Sequence, residues 1–245
     1  MGFEVKEFFH EYFYKAAYPL KRYSRNLFWE SMTPDTRKVK NLSRHFAVNS
    51  EDQIFLEKEP GVLFSEHPKS MFKIFAWVAE KNYFLSYPIA RAVEHHIDQM
   101  CPIFIDREDQ REVQSYFKRV INGKYFAKAL RLMHEFGLLG NFYLPEFKNV
   151  CGLLQDIYVH HFPTDMHVLS ALDVLNGMEI DKETDPFLVD LYHSLRDKTT
   201  LKLAVLLHDI GKGARTEGQN EELLGARMVP SILENLGYIK NSRRA

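Results

Sequence analysis

The chain has 245 residues, of which 45% are hydrophobic and 27% charged, so it can build one large core or two smaller ones and is neither disordered nor collagen-like. Lys and Arg total 32 against 33 for Asp and Glu, so no overall basic field draws the protein to nucleic acid or to an acidic membrane. Two cysteines, Cys101 and Cys151, are too few for a disulfide scaffold or a thiolate zinc site. With neither an export signal nor a membrane-spanning run, we expect a cytoplasmic protein.

The first part of the chain is predicted to be helical, with one small β-hairpin. Apolar residues at intervals of three and four predict a helix over 3–29, kinked at Pro19. Two short apolar runs at 45–48 and 53–57 flank a polar turn and predict the hairpin, which Pro60 and Gly61 close. Further helices in this part are predicted at 69–81, 88–100, 107–120, 125–136 and 145–155.

A segment containing Gly137 and Gly140 predicts a domain boundary near Phe142, which divides the chain into 1–142 and 143–245. Helices in the second part are predicted at 165–178, 186–196, 199–209 and 221–236. The sequence therefore predicts a mainly α fold, with a helical bundle that carries a small hairpin followed by an all-α domain.

Most of the candidate metal-binding and phosphate-binding residues lie in LKLAVLLHDIGKGAR, residues 201–215. There a predicted apolar helix ends in His208 and Asp209. Imidazole nitrogen together with carboxylate oxygen suits iron, manganese, zinc or nickel rather than a calcium cage, and His167 on an upstream helix is a candidate third ligand. In the structural alternative, His208 caps the last helical carbonyls and Asp209 caps the following turn. Lys212, between two glycines, either approaches a phosphoryl oxygen or is simply solvated.

These residues resemble the HD superfamily of metal-dependent phosphohydrolases, whose pattern is a lone His, a later His-Asp pair and a distant Asp. His167, His208 and Asp209 match the first three members. The stretches KALRLMHEFGLLGNFYLPEF and HHFPTDMHVLSAL further resemble the central connector and HD region of the bacterial PII uridylyltransferase and uridylyl-removing enzyme. The positions that match this family's segment are Met133, Gly137, Leu139, Gly140, Pro145, Phe147, His160, Asp165 and His167.

The resemblance implies a divalent cation (Mn, Mg, Fe, Zn or Ni) held by His167, His208 and Asp209. It implies hydrolysis of a phosphodiester, namely removal of a uridylyl group from a PII-like signal protein or cleavage of a small nucleotide, with Lys212 facing the phosphate. Asp165 would orient His167 or accept a proton, or it would only cap its helix. His160 is a candidate pocket residue. The chain has no Gly-Ser motif with paired aspartates, so we expect no transferase activity from it.

The sequence also departs from the HD pattern. Asp209 and His208 are the last Asp and the last His in the chain, and Glu221 stands where the family has a further His. We therefore expect an incomplete site with sub-stoichiometric metal and weak or no activity, because the chain is a truncated piece of a longer enzyme or, as the less favoured explanation, a decayed one. The alternative function is a noncatalytic regulatory or oligomerisation module with a degenerate HD site, which forms a homodimer through its exposed end.

Overall fold

The computed structural model describes residues 13, 15–30, 37–56, 59–97, 107–154, 162–180, 185–215 and 219–239. Helices dominate these ranges, which confirms the predicted mainly α fold. The α-helices are α1 (Lys15–Glu30), α2 (Pro60–Glu66), α3 (Ser70–Lys81), α4 (Tyr87–Ile97), α5 (Arg107–Asn122), α6 (Phe126–Glu135), α7 (Thr164–Glu179), α8 (Pro186–Ser194), α9 (Lys198–Leu207) and α10 (Glu221–Asn235). None of the helices in these ranges combines the length with the hydrophobicity that a bilayer span requires.

The chain divides into two compact units. One, here called the sheet unit, is Leu20–Leu138, and the other, called the His-Asp unit, is Leu139–Ala245 together with Met1–Pro19. The division falls four residues before the predicted boundary at Phe142. Assignment of the two units to a connector and an HD domain stays a prediction.

The sheet unit contains a four-stranded sheet in the order β1-β2-β3-β4. Its strands are β1 (Lys38–Asn41), β2 (Phe46–Asn49), β3 (Gln53–Leu56) and β4 (Phe84–Leu85). The antiparallel β2–β3 pair is the predicted hairpin, and its turn is held by the Asn49 side chain, which accepts hydrogen bonds from the backbone N–H groups of Glu51 and Gln53. The sequence analysis missed β1 and β4, because β1 is exposed along its whole length and β4 has only two residues.

The core of the sheet unit is centred on α3. Eight of its twelve residues are buried, and Gly123 after α5 packs so closely that a Cβ there would lie 2.7 Å from the carbonyl carbon of Ala79. Helix α2 was not predicted, since Pro60 and Gly61 were interpreted as a closing turn. Pro60 is instead the first residue of this helix, where the missing N–H costs nothing.

The His-Asp unit begins with a π-helical turn (Leu139–Tyr143) and a 3₁₀-helix (Pro145–Val150), and a second 3₁₀-helix (Ile210–Ala214) joins α9 to α10. The predicted α-helix over 145–155 is wrong, because the first six of these residues form the 3₁₀-helix and Cys151 is already extended. A proline at the first position suits either helix type, so this difference has no local sequence signal.

Three helices of the His-Asp unit are joined by a buried polar cluster. Lys202 of α9, whose residue surface is 3% exposed, places Nζ 3.4 Å from Glu179 of α7, and the hydroxyl of Tyr192 on α8 donates a hydrogen bond to the same carboxylate. Burial lowers the pKa of Lys202, with Glu179 opposing it, whereas burial and the bond to Glu179 raise the pKa of Tyr192. This cluster connects α7 and α9, the two helices that carry the candidate metal ligands.

Candidate metal centre

His208 and Asp209 lie directly after the last residue of α9. The helix begins at an Asp197 cap whose side chain accepts from the N–H of Thr200, and it buries Leu203, Leu206 and Leu207 on one face. It ends at Leu207, two residues before the predicted end, so His208 and Asp209 form the turn into the following 3₁₀-helix. His208 keeps helical dihedral angles, whereas Asp209 departs from them, so the two neighbouring side chains can face the same point.

The hydrogen bond of His208 fixes which ring nitrogen faces the site. Its Nδ1 lies 2.8 Å from the carbonyl oxygen of Val205, which can only accept, so Nδ1 carries the proton. Nε2 is therefore the nitrogen that faces Asp209, and it lies 3.3 Å from Oδ2 of that residue. A histidine that donates one N–H to a backbone carbonyl and presents the other nitrogen is the usual arrangement of a metal-binding imidazole.

His167 joins this pair from the first turn of α7, where its backbone N–H donates to the carbonyl of Pro163. Its Nε2 lies 3.9 Å from Oδ2 of Asp209, and its ring meets the ring of His208 edge to face at 5.4 Å between centroids. One ligand atom from each of His167, His208 and Asp209 lies within 4.8 Å of the other two. The structure thus brings together residues that are 41 positions apart; their role as ligands stays a prediction.

Lys212 also contacts the centre, through the carboxylate. Its Nζ donates to Oδ2 of Asp209 at 2.9 Å, and the two side chains are only 15% and 11% exposed. Burial raises the pKa of Asp209, but the hydrogen bonds from His208 and Lys212 outweigh burial and lower this pKa to about 2. The bond to Asp209 raises the pKa of His208 against the effect of burial.

The glycines on either side of Lys212 have a packing role. A Cβ on Gly211 would lie 2.1 Å from the carbonyl oxygen of Glu221 at the start of α10, and a Cβ on Gly213 would lie 2.6 Å from Cβ of Asn149 in the first 3₁₀-helix. Backbone therefore packs on both sides of the Lys212 turn. This close packing is enough to explain why glycine stands at both positions, without any approach of a phosphate.

Asp165 is placed differently from the three candidate ligands. It is fully buried: Oδ1 accepts from the backbone N–H of Gly152 at 3.0 Å and Oδ2 from the hydroxyl of Tyr18 at 2.7 Å. These contacts fit a structural role that holds the segment before α7, and they do not include a cap on α7 itself. The catalytic role of Asp165 stays a prediction. Sequence reasoning missed Tyr18, since no local pattern marks a partner 147 residues away.

Glu221 and His160 are the two remaining candidate site residues from the sequence. Glu221 is the first residue of α10, and its Oε2 lies 3.0 Å from Nη1 of Arg215. Its carboxylate is thus paired with a guanidinium, as suits a residue at a helix N-terminus next to a cationic turn. His160 lies outside the described residues, as do His161 and Cys101.

The ligand atoms that this cluster offers can be compared with those that the expected divalent cation prefers. Two imidazole nitrogens and one carboxylate oxygen match the ligand preference of zinc, iron, manganese or nickel. Three protein ligands leave coordination positions open for water and substrate. Catalytic metal sites have such open positions, whereas structural sites are filled by protein ligands. The residues therefore fit a divalent transition metal.

Together, the fold and the cluster define a helical protein with a His-His-Asp candidate centre at the junction of two helices. No family model matches the chain. It is similar to the bifunctional uridylyltransferase/uridylyl-removing enzyme of Azospirillum brasilense, with 32% identity over 178 residues, or 71% of this chain and 18% of the relative. It is also similar to the enzymes of the same name from Caulobacter vibrioides and Rhodospirillum rubrum. The first is 30% identical over 191 residues, which are 76% of this chain and 20% of the relative. The second is 28% identical over 176 residues, which are 71% of this chain and 18% of the relative. The chain spans about a fifth of the length of these curated relatives.

Proposed function

We propose that this chain carries part of a metal-dependent phosphodiester hydrolase of the HD type, which removes a uridylyl group from a PII-like protein in a longer enzyme. The observation that carries the proposal is the convergence of His167, His208 and Asp209 within 4.8 Å. Similarity to bifunctional uridylyltransferase/uridylyl-removing enzymes supports uridylyl chemistry, since uridylyl removal is the hydrolysis of a phosphodiester.

In this proposal His167, His208 and Asp209 hold one divalent cation. The chemistry that such a cation supplies is acidification of a water molecule and withdrawal of charge from the phosphoryl oxygens. The Val205 carbonyl holds the ring of His208 in the orientation and tautomer that present Nε2. Lys212 binds a phosphoryl oxygen once its ammonium leaves Asp209. Because Asp209 is largely buried, water weakens the electrostatic contacts of its carboxylate only slightly.

A second candidate is the noncatalytic helical module, which self-associates or transmits a signal. It is favoured by one observation: two carboxylates in this part of the chain already have cationic partners, Asp209 in Lys212 and Glu221 in Arg215. A carboxylate that is already paired with a cation does not need a metal ion to neutralise it.

Hydrolysis of bis(p-nitrophenyl) phosphate with and without added Mn²⁺ separates the two candidates. In the longer enzyme that contains this chain with its downstream region, we expect Mn²⁺-dependent turnover that chelation abolishes and that falls at least 100-fold in His208→Ala. His95→Ala, which removes an exposed histidine from the sheet unit, is the matched control and should keep full activity. Turnover without metal, or equal turnover in both variants, would contradict the proposal.

The substrate is tested by release of UMP from a uridylylated PII-like protein under the same conditions. Release that requires Mn²⁺ and His208 supports uridylyl removal. Turnover of the nitrophenyl ester without release of UMP would assign the site to another phosphodiester, such as a small nucleotide.

A further inference from the structure

One oxygen, Oδ2 of Asp209, is the meeting point of three cationic or metal-binding groups. Nζ of Lys212 lies 2.9 Å from it, Nε2 of His208 3.3 Å and Nε2 of His167 3.9 Å. The ammonium thus contacts the same oxygen that faces both candidate imidazole ligands. A lysine in this position supplies the positive charge that a buried carboxylate needs.

We infer that Lys212 is an internal cation that competes with the divalent metal for Asp209 and must be displaced when the metal binds. The inference rests on the proposed function, because it takes His167, His208 and Asp209 as the ligands. It goes further by assigning Lys212 control over how tightly the cation is held.

A metal ion bound to Asp209 would lie close to the ammonium of Lys212. Oδ2 is 2.9 Å from Nζ, and oxygen ligands lie about 2.1 Å from a transition metal, so the two positive charges would be no more than about 5 Å apart. Lys212 and Asp209 are both largely buried, so water screens this repulsion poorly. The metal and the ammonium therefore cannot both be held at full strength.

The backbone of the Lys212 turn is fixed, whereas its side chain can rotate. Gly211 packs against the backbone of Glu221 and Gly213 against Asn149, at distances that leave no room for the Lys212 turn to shift towards either neighbour. The four-carbon stem of Lys212 has rotatable bonds and ends in a compact charge. Displacement is thus a side-chain rotation on a fixed backbone, and it frees the ammonium for the phosphoryl contact proposed above.

Binding of Mn²⁺ alone, measured by the electron paramagnetic resonance signal of the free ion, tests the inference without any turnover. Lys212→Met removes the charge but keeps most of the stem, and we expect it to lower the Kd for Mn²⁺ at least tenfold. Lys212→Arg keeps the charge and should bind like the wild type. Lys198→Met removes an equally charged side chain from the start of α9 and should also leave the Kd within threefold.

The outcomes separate this inference from the proposed function. A Kd for Lys212→Met that equals or exceeds the wild-type value, with Mn²⁺ still bound by the wild type, overturns only the role of Lys212. The lysine would then be a residue that orients the carboxylate. If neither protein binds Mn²⁺ while both retain their far-ultraviolet circular dichroism, the inference and the proposed metal site both fail.

Discussion

Replacement of Lys202 by Met tests whether the buried polar cluster stabilises the His-Asp unit. Methionine retains the apolar stem of Lys202 but removes the ammonium that lies 3.4 Å from the carboxylate of Glu179. Removal of one partner from a buried ion pair costs about 3–5 kcal/mol. The side chain of Glu179 is 21% exposed and keeps the hydroxyl of Tyr192, so water and this hydrogen bond offset part of the loss.

We therefore expect Lys202→Met to lower the free energy of unfolding by about 2 kcal/mol, which corresponds to a fall in Tm of roughly 4–8 °C for a chain of this size. Urea denaturation followed by circular dichroism measures the change. Both tryptophans, Trp29 and Trp77, lie in the sheet unit, so their fluorescence reports that unit within the same titration.

A double variant identifies the cause of the loss. Glu179→Gln removes the second charge but keeps an oxygen that accepts from Tyr192, so Lys202→Met combined with Glu179→Gln should recover at least about 1 kcal/mol. Arg196→Met, which removes an exposed charge just before the same helix, should stay within about 0.5 kcal/mol of the wild type. The reasoning fails if Lys202→Met is as stable as the wild type, or if the double variant is less stable than Lys202→Met.

Three further predictions concern the neighbourhood of the site. Gly211→Ala should destabilise the protein by about 3 kcal/mol in urea denaturation, because its Cβ meets the carbonyl oxygen of Glu221 at 2.1 Å; an unchanged midpoint would show that the turn can shift. Burial raises the pKa of Cys151 to about 12, so it should react with Ellman's reagent at pH 8 at least 100-fold more slowly than free cysteine, and equal rates would refute its burial. Because the bond to Asp209 raises the pKa of His208, the stability from this pair is fully present below about pH 6.5 and is lost as pH rises through the folded pKa. Proton NMR titration should show the His208 midpoint falling in Asp209→Asn, and an unmoved midpoint would contradict the pair.

The helices of the His-Asp unit were predictable because their apolar residues repeat with helical spacing. The interval predicted for α7 was 165–178, and the helix is Thr164–Glu179. Strand β1 lacks such a pattern, and for this reason it was not predicted. The residues of β1 are all exposed, so no alternation between buried and exposed side chains marks the strand, and it forms only because β2 offers a partner.

The candidate site was predictable in its members but not in its geometry. The pair at the end of α9 has a local signal, an apolar helix that terminates in an imidazole and a carboxylate. His167 was a candidate ligand from its residue type and its predicted helix, but nothing in the spacing of 41 residues shows that it faces this pair, and the resemblance to the HD pattern supplied that expectation. The part-buried hydrogen bond between Tyr18 and Asp165 had neither a local signal nor a place in that pattern, so only the structure shows it.

The Gly-Lys-Gly turn shows how packing and chemistry are combined at one place in this chain. Gly211 and Gly213 are required because two neighbouring backbones approach within Cβ distance, and this packing fixes the origin of the Lys212 side chain. A fixed origin places the ammonium 2.9 Å from Oδ2 of Asp209, where it holds a buried carboxylate that would otherwise lack a full positive charge. Replacement of either glycine should therefore change the Kd for Mn²⁺ as well as the free energy of unfolding, since Lys212 and the metal would no longer compete for the same oxygen.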